Sequence, residues 1–180
     1  VKTQYDLKSG EDMKTAIIAI LALLTLLLPV TAQSVGSRDN PVPIGTSVDM
    51  GENWEITVLS VFPNATDKMV YGDNDIGFVR DPAEEFFIAK IQAKYIGPGS
   101  IRFDNHLSAV GSASIGYTPI NIIQGEGAIP DYISYQEVFT GGVLTGILVW
   151  MIPPAHANHL VMYDSAIGNN KRTYMALFES

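Results

Sequence analysis

Cysteine is absent from the 180 residues. Disulfides, thiolate zinc sites, iron–sulfur clusters, cysteine nucleophiles and thioether lipid anchors are excluded with it. A domain of this length can bury an adequate core without a covalent staple, so the absence does not argue against an exported protein. Basic residues are few, with 11 Lys and Arg against 19 Asp and Glu for a net charge of −8. That balance lacks the clustered cations a nucleic-acid binder uses to displace phosphate counterions, and it disfavours polybasic attachment to anionic lipid. Lys2, Lys8 and Lys14 offset Asp6, Glu11 and Asp12, so the excess of acid belongs entirely to residues 33–180. Helical spacing is missing too. From Ile44 onward no stretch repeats apolar residues at the interval of a helix face.

One long apolar run does occur, AIIAILALLTLLLPV from Ala16 to Val30, preceded by Lys14 and followed by Val30-Thr31-Ala32. A basic flank, an apolar stretch and small residues at the minus-three and minus-one positions form the layout of a secretory signal, with cleavage expected between Ala32 and Gln33. Pro29 favours the extended backbone a peptidase needs there. The alternative is a retained anchor, since the run is only somewhat shorter than the roughly 20 residues that span a hydrocarbon core. A pilin-type leader cut at Lys8-Ser9-Gly10 is a third arrangement. Residues 1–12 precede Met13 and are expected to be a gene-model extension or disordered leader, 13–32 the signal or anchor, 33–43 a polar, Pro-containing linker, and 44–180 one domain.

Within that domain, β-branched and aromatic runs recur between Gly, Pro and Asn clusters. Residues 54–62, WEITVLSVF, alternate at period two, which turns Trp54, Ile56 and Val58 inward, with Val61 or Phe62 joining them across a bulge. Residues 85–96, EFFIAKIQAKYI, place Phe87, Ala89, Ile91, Ala93 and Tyr95 on one face and Lys90, Gln92 and Lys94 on the other. Gly141-Gly142 precedes a long strand, VLTGILVWMI, that Pro153-Pro154 terminates. Residues 159–163 and 173–178 supply two more strands around the hairpin signal Gly168-Asn169-Asn170. The expectation is an all-β fold, an immunoglobulin-like antiparallel β-sandwich of about seven or eight strands, preceded by an N-terminal apolar signal or anchor helix.

The order of these pieces resembles a known family. Asn40-Pro41-Val42-Pro43-Ile44-Gly45 comes first, then Trp54-Glu55-Ile56-Thr57-Val58 and Glu85-Phe86-Phe87-Ile88-Ala89-Lys90-Ile91. Phe139-Thr140-Gly141-Gly142-Val143-Leu144-Thr145-Gly146, Val149-Trp150-Met151-Ile152-Pro153-Pro154 and Leu160-Val161-Met162-Tyr163 follow. Together they are similar to the telokin-like domains of unknown function in exported prokaryotic proteins, whose fold is that of the mycobacterial immunoprotective antigen. The resemblance covers nearly all of the chain from Arg38 onward. It implies an immunoglobulin-like sandwich outside a bacterial or archaeal cell, often tethered, without known catalysis and with no functional residues to carry over. Two features depart from the pattern: the lipobox cysteine is missing, and residues 104–132 form a segment rich in Gly, Ser and Ile.

Four groups of residues could carry chemistry. Asp73-Asn74-Asp75-Ile76-Gly77, with Asp81 and Glu84 at the ninth and twelfth places counted from Asp73, offers the oxygen donors and the turn glycine of a Ca²⁺ site. Flanking helices are lacking, and the same residues also describe an acidic solvated hairpin loop. His156 and His159 are spaced to share a transition metal with Asp164 or Asp131, and His106 could reach them only through folding; both also suit an exposed loop. Tyr117, Tyr132 and Tyr135 lie in the long loop region 112–136 and are the expected contact surface, because loops on a rigid scaffold carry binding residues. Trp54, Trp150, Phe86, Phe87, Tyr95 and Phe139 could stack on sugar rings, but most occupy inward strand positions and are expected in the core. Asn64-Ala65-Thr66 is a glycosylation sequon on an expected loop.

No Gly-x-Ser-x-Gly elbow or other nucleophile motif occurs, and residues 111–116 lack the Lys and following helix of a phosphate loop. The reading is therefore a cell-surface or secreted binding module, not an enzyme, with an unknown protein or glycan partner and no cofactor, Ca²⁺ at the acidic loop being a candidate only. Two alternatives stand beside it: a surface-assembly subunit that donates residues 33–43 as a strand, and a metal-dependent protein built on His156 and His159. Membrane contact is expected only through the N-terminal segment if it is retained.

Overall fold

Alternating residues become strands, and the two clearest alternations become the centre of a sheet. The computed structural model describes residues 34–68, 83–104, 106–120, 131–133, 136–168 and 171–179. All of them belong to one unit, Gln33–Ser180. In chain order the strands are β1 (Ser47–Asp49), β2 (Trp54–Phe62), β3 (Glu85–Tyr95), β4 (Ser100–Arg102), β5 (Leu107–Val110), β6 (Gly116–Tyr117), β7 (Glu137–Phe139), β8 (Val143–Ile152), β9 (Val161–Asp164) and β10 (Tyr174–Ala176). They form two four-stranded sheets, ordered β1-β2-β3-β8 and β10-β9-β5-β6, and a ribbon of β4 and β7. All pairings between named strands are antiparallel. The fold is an immunoglobulin-like β-sandwich, as its residue pattern implied. The apolar run Ala16–Val30 and its expected cleavage site lie outside the described residues, among which no helix is long and apolar enough to cross a membrane.

Both four-stranded sheets supply the main core. Ile56, Val58, Ile91 and Trp150 from the first meet Leu107, Ala109, Met162 and Met175 from the second, all buried. The β2–β3 register shifts between Val58 and Ser60, leaving Leu59 as the extra residue of a bulge. The shift returns Val61 to the core side, where it packs partly buried, while Phe62 stays 38% exposed. Tyr95 and the edge of Phe103 pack on the Trp54 ring at 5.3 and 4.9 Å between centroids. A second, smaller cluster of Ala65, Phe86, Ile88 and Val149 covers the opposite face of β3 and β8 at one end. Phe86 and Ile88 are thus buried on the face that Lys90, Gln92 and Lys94 leave polar further along. β3 is half-exposed only along that further part.

Four expectations need correction. The expected linker is tied into the sandwich at its end: Val42 is buried, its backbone N–H donates to the Tyr174 carbonyl and its carbonyl accepts from the Ala176 N–H at 2.8 Å each. The sequence hides this because one apolar residue among polar ones has no period. The segment rich in Gly, Ser and Ile contains β5, whose residues Leu107, Ser108, Ala109 and Val110 are all buried. A strand buried on both faces loses its alternation and reads as a featureless small-apolar run. Phe139 is 65% exposed, because on β7 it is Val138 that points inward. The expected strand at 159–163 begins instead at Val161, since His159 takes a left-handed backbone conformation, φ 50°.

Candidate functional site

Glu84 stands immediately before β3, and Tyr117 ends the two-residue strand β6. The β5–β6 pairing sets Tyr117 opposite Ala109. The chain then turns along β8, where the Ile120 N–H donates to the Val149 carbonyl at 2.7 Å. These constraints bring Glu84, Tyr117, Thr118, Pro119, Ile120 and Met151 around an open cleft of about 420 Å³. Its apolar floor is Ile120, Pro119 and Met151, and its polar groups are the Glu84 carboxylate, the Tyr117 ring and the Thr118 hydroxyl.

Behind the cleft, the Tyr117 hydroxyl is hydrogen-bonded to His156 Nδ1 at 2.5 Å, with the two rings tilted 45° and 6.3 Å apart. His156 ends a single turn of 3-10 helix, Pro154–His156, closed by its N–H donating to the Pro153 carbonyl. The turn after β5 is stitched to this one, Ser112 donating through its N–H to Asn158 and through its hydroxyl to the Ala155 carbonyl. Gly111 permits that approach, since a Cβ there would run into the His156 carbonyl. Burial raises the Tyr117 pKa above its ordinary value, and the charge of Glu84 raises it further. The phenol is protonated at neutral pH, and it offers a hydrogen-bonding group and an aromatic face.

The expected site residues divide unevenly over this geometry. Glu84, from the Ca²⁺ candidate, and Tyr117, from the contact surface, share the cleft. Asp73, Asp75 and Asp81 lie outside the described residues, as does Tyr135. Tyr132, from the expected contact surface, packs partly buried against the second core cluster and bridges Ile147 through its backbone. His156 and His159 have different partners, Tyr117 for the first and the edge of Phe178 for the second, at 5.3 Å between centroids. His106 lies 3.4 Å from Asp104. Among the described residues no three His, Asp or Glu side chains gather as a metal site. No local pattern marks the part played by Met151 and Ile120, because the cleft lining is shared between a strand and a loop.

No family model matches the sequence, and neither does any curated protein. Solved structures do share the fold. The yjhA protein of Bacillus subtilis aligns with a TM-score of 0.51 at 17% identity, covering 76% of this chain and 99% of that one. The secreted protein MPT63 of Mycobacterium tuberculosis aligns at 0.47 and 16%, covering 77% and 98%. An uncharacterized β-sandwich protein of Clostridium difficile 630 aligns at 0.45 and 10%, covering 77% and 95%. At 17% identity, what the chain shares with the yjhA protein is the fold.

Proposed function

We propose that this chain is an exported, non-catalytic binding module whose cleft between Glu84 and Tyr117 takes a cationic group carried by a protein or glycan partner at the cell surface. The observation that carries the reading is the convergence of one carboxylate and one aromatic face over an apolar floor. An ammonium group is attracted by both, the ring contributing about 0.5–2 kcal/mol according to how far the pair is desolvated. The excess of acid in the domain draws cations toward it at longer range. Export rests on the basic flank, apolar run and small-residue pattern of residues 14–32. Titration with butylammonium, followed by NMR, is expected to shift the signals of Glu84, Tyr117 and Met151 saturably. Shifts scattered over the surface in proportion to ionic strength would sink the reading.

Ca²⁺ is the second reading, favoured by Glu84 at the twelfth place of the acidic loop. It predicts a saturable rise in melting temperature with millimolar Ca²⁺, reversed by chelator. A melting temperature indifferent to Ca²⁺ removes it.

A further inference from the structure

Away from that cleft, Arg38 crosses from the N-terminal segment to the turn after β5. Its Nη2 donates to the Gly111 carbonyl at 2.7 Å and to the Ser114 hydroxyl at 3.1 Å. A guanidinium carries five N–H donors. Two are used to fix its position, and no other hydrogen bond from it forms among the described residues. Arg38 lines a groove of about 370 Å³ with His159, Ser114 and Phe178. Two residues of that wall, Ser114 and His159, hold left-handed backbone conformations at φ 59° and 50°, a strain that non-glycine residues adopt where the surroundings impose it and that gathers at binding sites. Asp39, Pro41 and Phe178 also line a second groove, of about 450 Å³, which continues past Pro43 and Ile44 to Glu179. The two grooves therefore share one wall. Followed along that wall, the surface runs from Arg38, which lines only the first groove, over Asp39, Pro41 and Phe178, which line both, to Glu179, which lines only the second.

We infer that this double groove binds a short peptide with both termini free, its carboxylate on Arg38 and its ammonium toward Glu179. The chemistry selects a zwitterion. A fixed guanidinium with donors left over matches a carboxylate, the Glu179 carboxylate in the second groove matches an ammonium, and Pro41 and Phe178 suit an apolar side chain between them. A ligand of no net charge also escapes the repulsion that an acidic domain exerts on a plain anion.

The test is isothermal titration of the full chain with the tripeptide Ala-Leu-Ala and with its N-acetylated and C-amidated forms. Saturable binding is expected for the free tripeptide and a loss of about tenfold or more for each blocked form, since each removes a hydrogen-bonded charge. Arg38→Gln should lower affinity for the free and acetylated peptides and leave the amidated form unchanged. Because Arg38 also secures the N-terminal segment, Glu179→Gln provides a second variant away from that contact: it should weaken the free and amidated peptides and spare the acetylated one. Failure of the free tripeptide to bind at millimolar concentration, or equal binding of all three peptides, overturns the proposal, and so does binding indifferent to both substitutions.

Discussion

Gly111 lies where the turn after β5 presses against the turn Pro154–His156. Gly111→Ala places a methyl group against a backbone carbonyl that cannot rotate away, so one of the two turns must move. A loss of about 1–3 kcal/mol is expected, of the size that overpacking produces, measured by urea unfolding. Asp164 offers a test with pH. Burial raises its pKa from 3.8; the Ala166 N–H, His106 and Arg172 lower it and Glu52 raises it, with burial prevailing. A carboxyl whose folded pKa is raised favours folding most below its unfolded pKa, and that contribution is lost as pH rises through the folded value. At neutral pH the ionised side chain therefore opposes folding. Asp164→Asn keeps an acceptor for the Ala166 N–H and should be at least as stable as the parent at pH 7, the difference closing below pH 3.8 in melts across pH. A variant less stable at pH 7 than at pH 3 relative to the parent would contradict this. Residue identity alone indicated neither effect, since Gly111 falls in a segment rich in Gly, Ser and Ile and Asp164 stood out only as a third ligand beside His156 and His159.

Strands whose two faces meet different surroundings were legible, and strands buried on both were not. β2, β3 and β8 follow the period-two pattern, and even the bulge after Val58 could be anticipated, because without it Val61 would face away from the core. β5 had no polar face to mark it. The segment ending at Val42 had too few apolar residues to reveal its docking, yet it lies along β10, the outer strand of its sheet. On the other sheet, the outer strand β8 is flanked by backbone hydrogen bonds from residues 120 and 133 to its Val149 and Ile147 carbonyls. The β10 and β8 edges covered in this way leave little for a neighbouring molecule to extend, and within residues 33–43 Gly36 and Val42 are already bonded to the backbone beside β10. Val42→Ala is expected to lower stability by about 1–3 kcal/mol while the protein elutes at an unchanged size. A shift to dimers or larger species on size exclusion would favour assembly by strand exchange.

At the scale of the whole molecule, the sandwich brings together groups that are remote in sequence: Glu84 before β3, Tyr117 on β6, Met151 on β8 and His156 beyond it. Fold class was legible because it depends on patterns within short windows. The cleft was legible only in fragments, one residue from an acidic loop and one from a tyrosine-bearing stretch, because their meeting depends on how the strands are ordered in the sheets. The Tyr117–His156 hydrogen bond likewise joins two features that the sequence offered separately, one as a contact residue and the other as a metal ligand. The most direct test of the central claim is a thermal melt of the parent and of Glu84→Gln, each with and without butylammonium near one hundred times its dissociation constant. Mass action at that excess stabilises a folded state that alone binds the ligand by about 2.7 kcal/mol, or roughly 5–10 °C for a domain of this size. The account predicts that rise in the parent and little or none in the variant. No rise in the parent, or an equal rise in both, would contradict it.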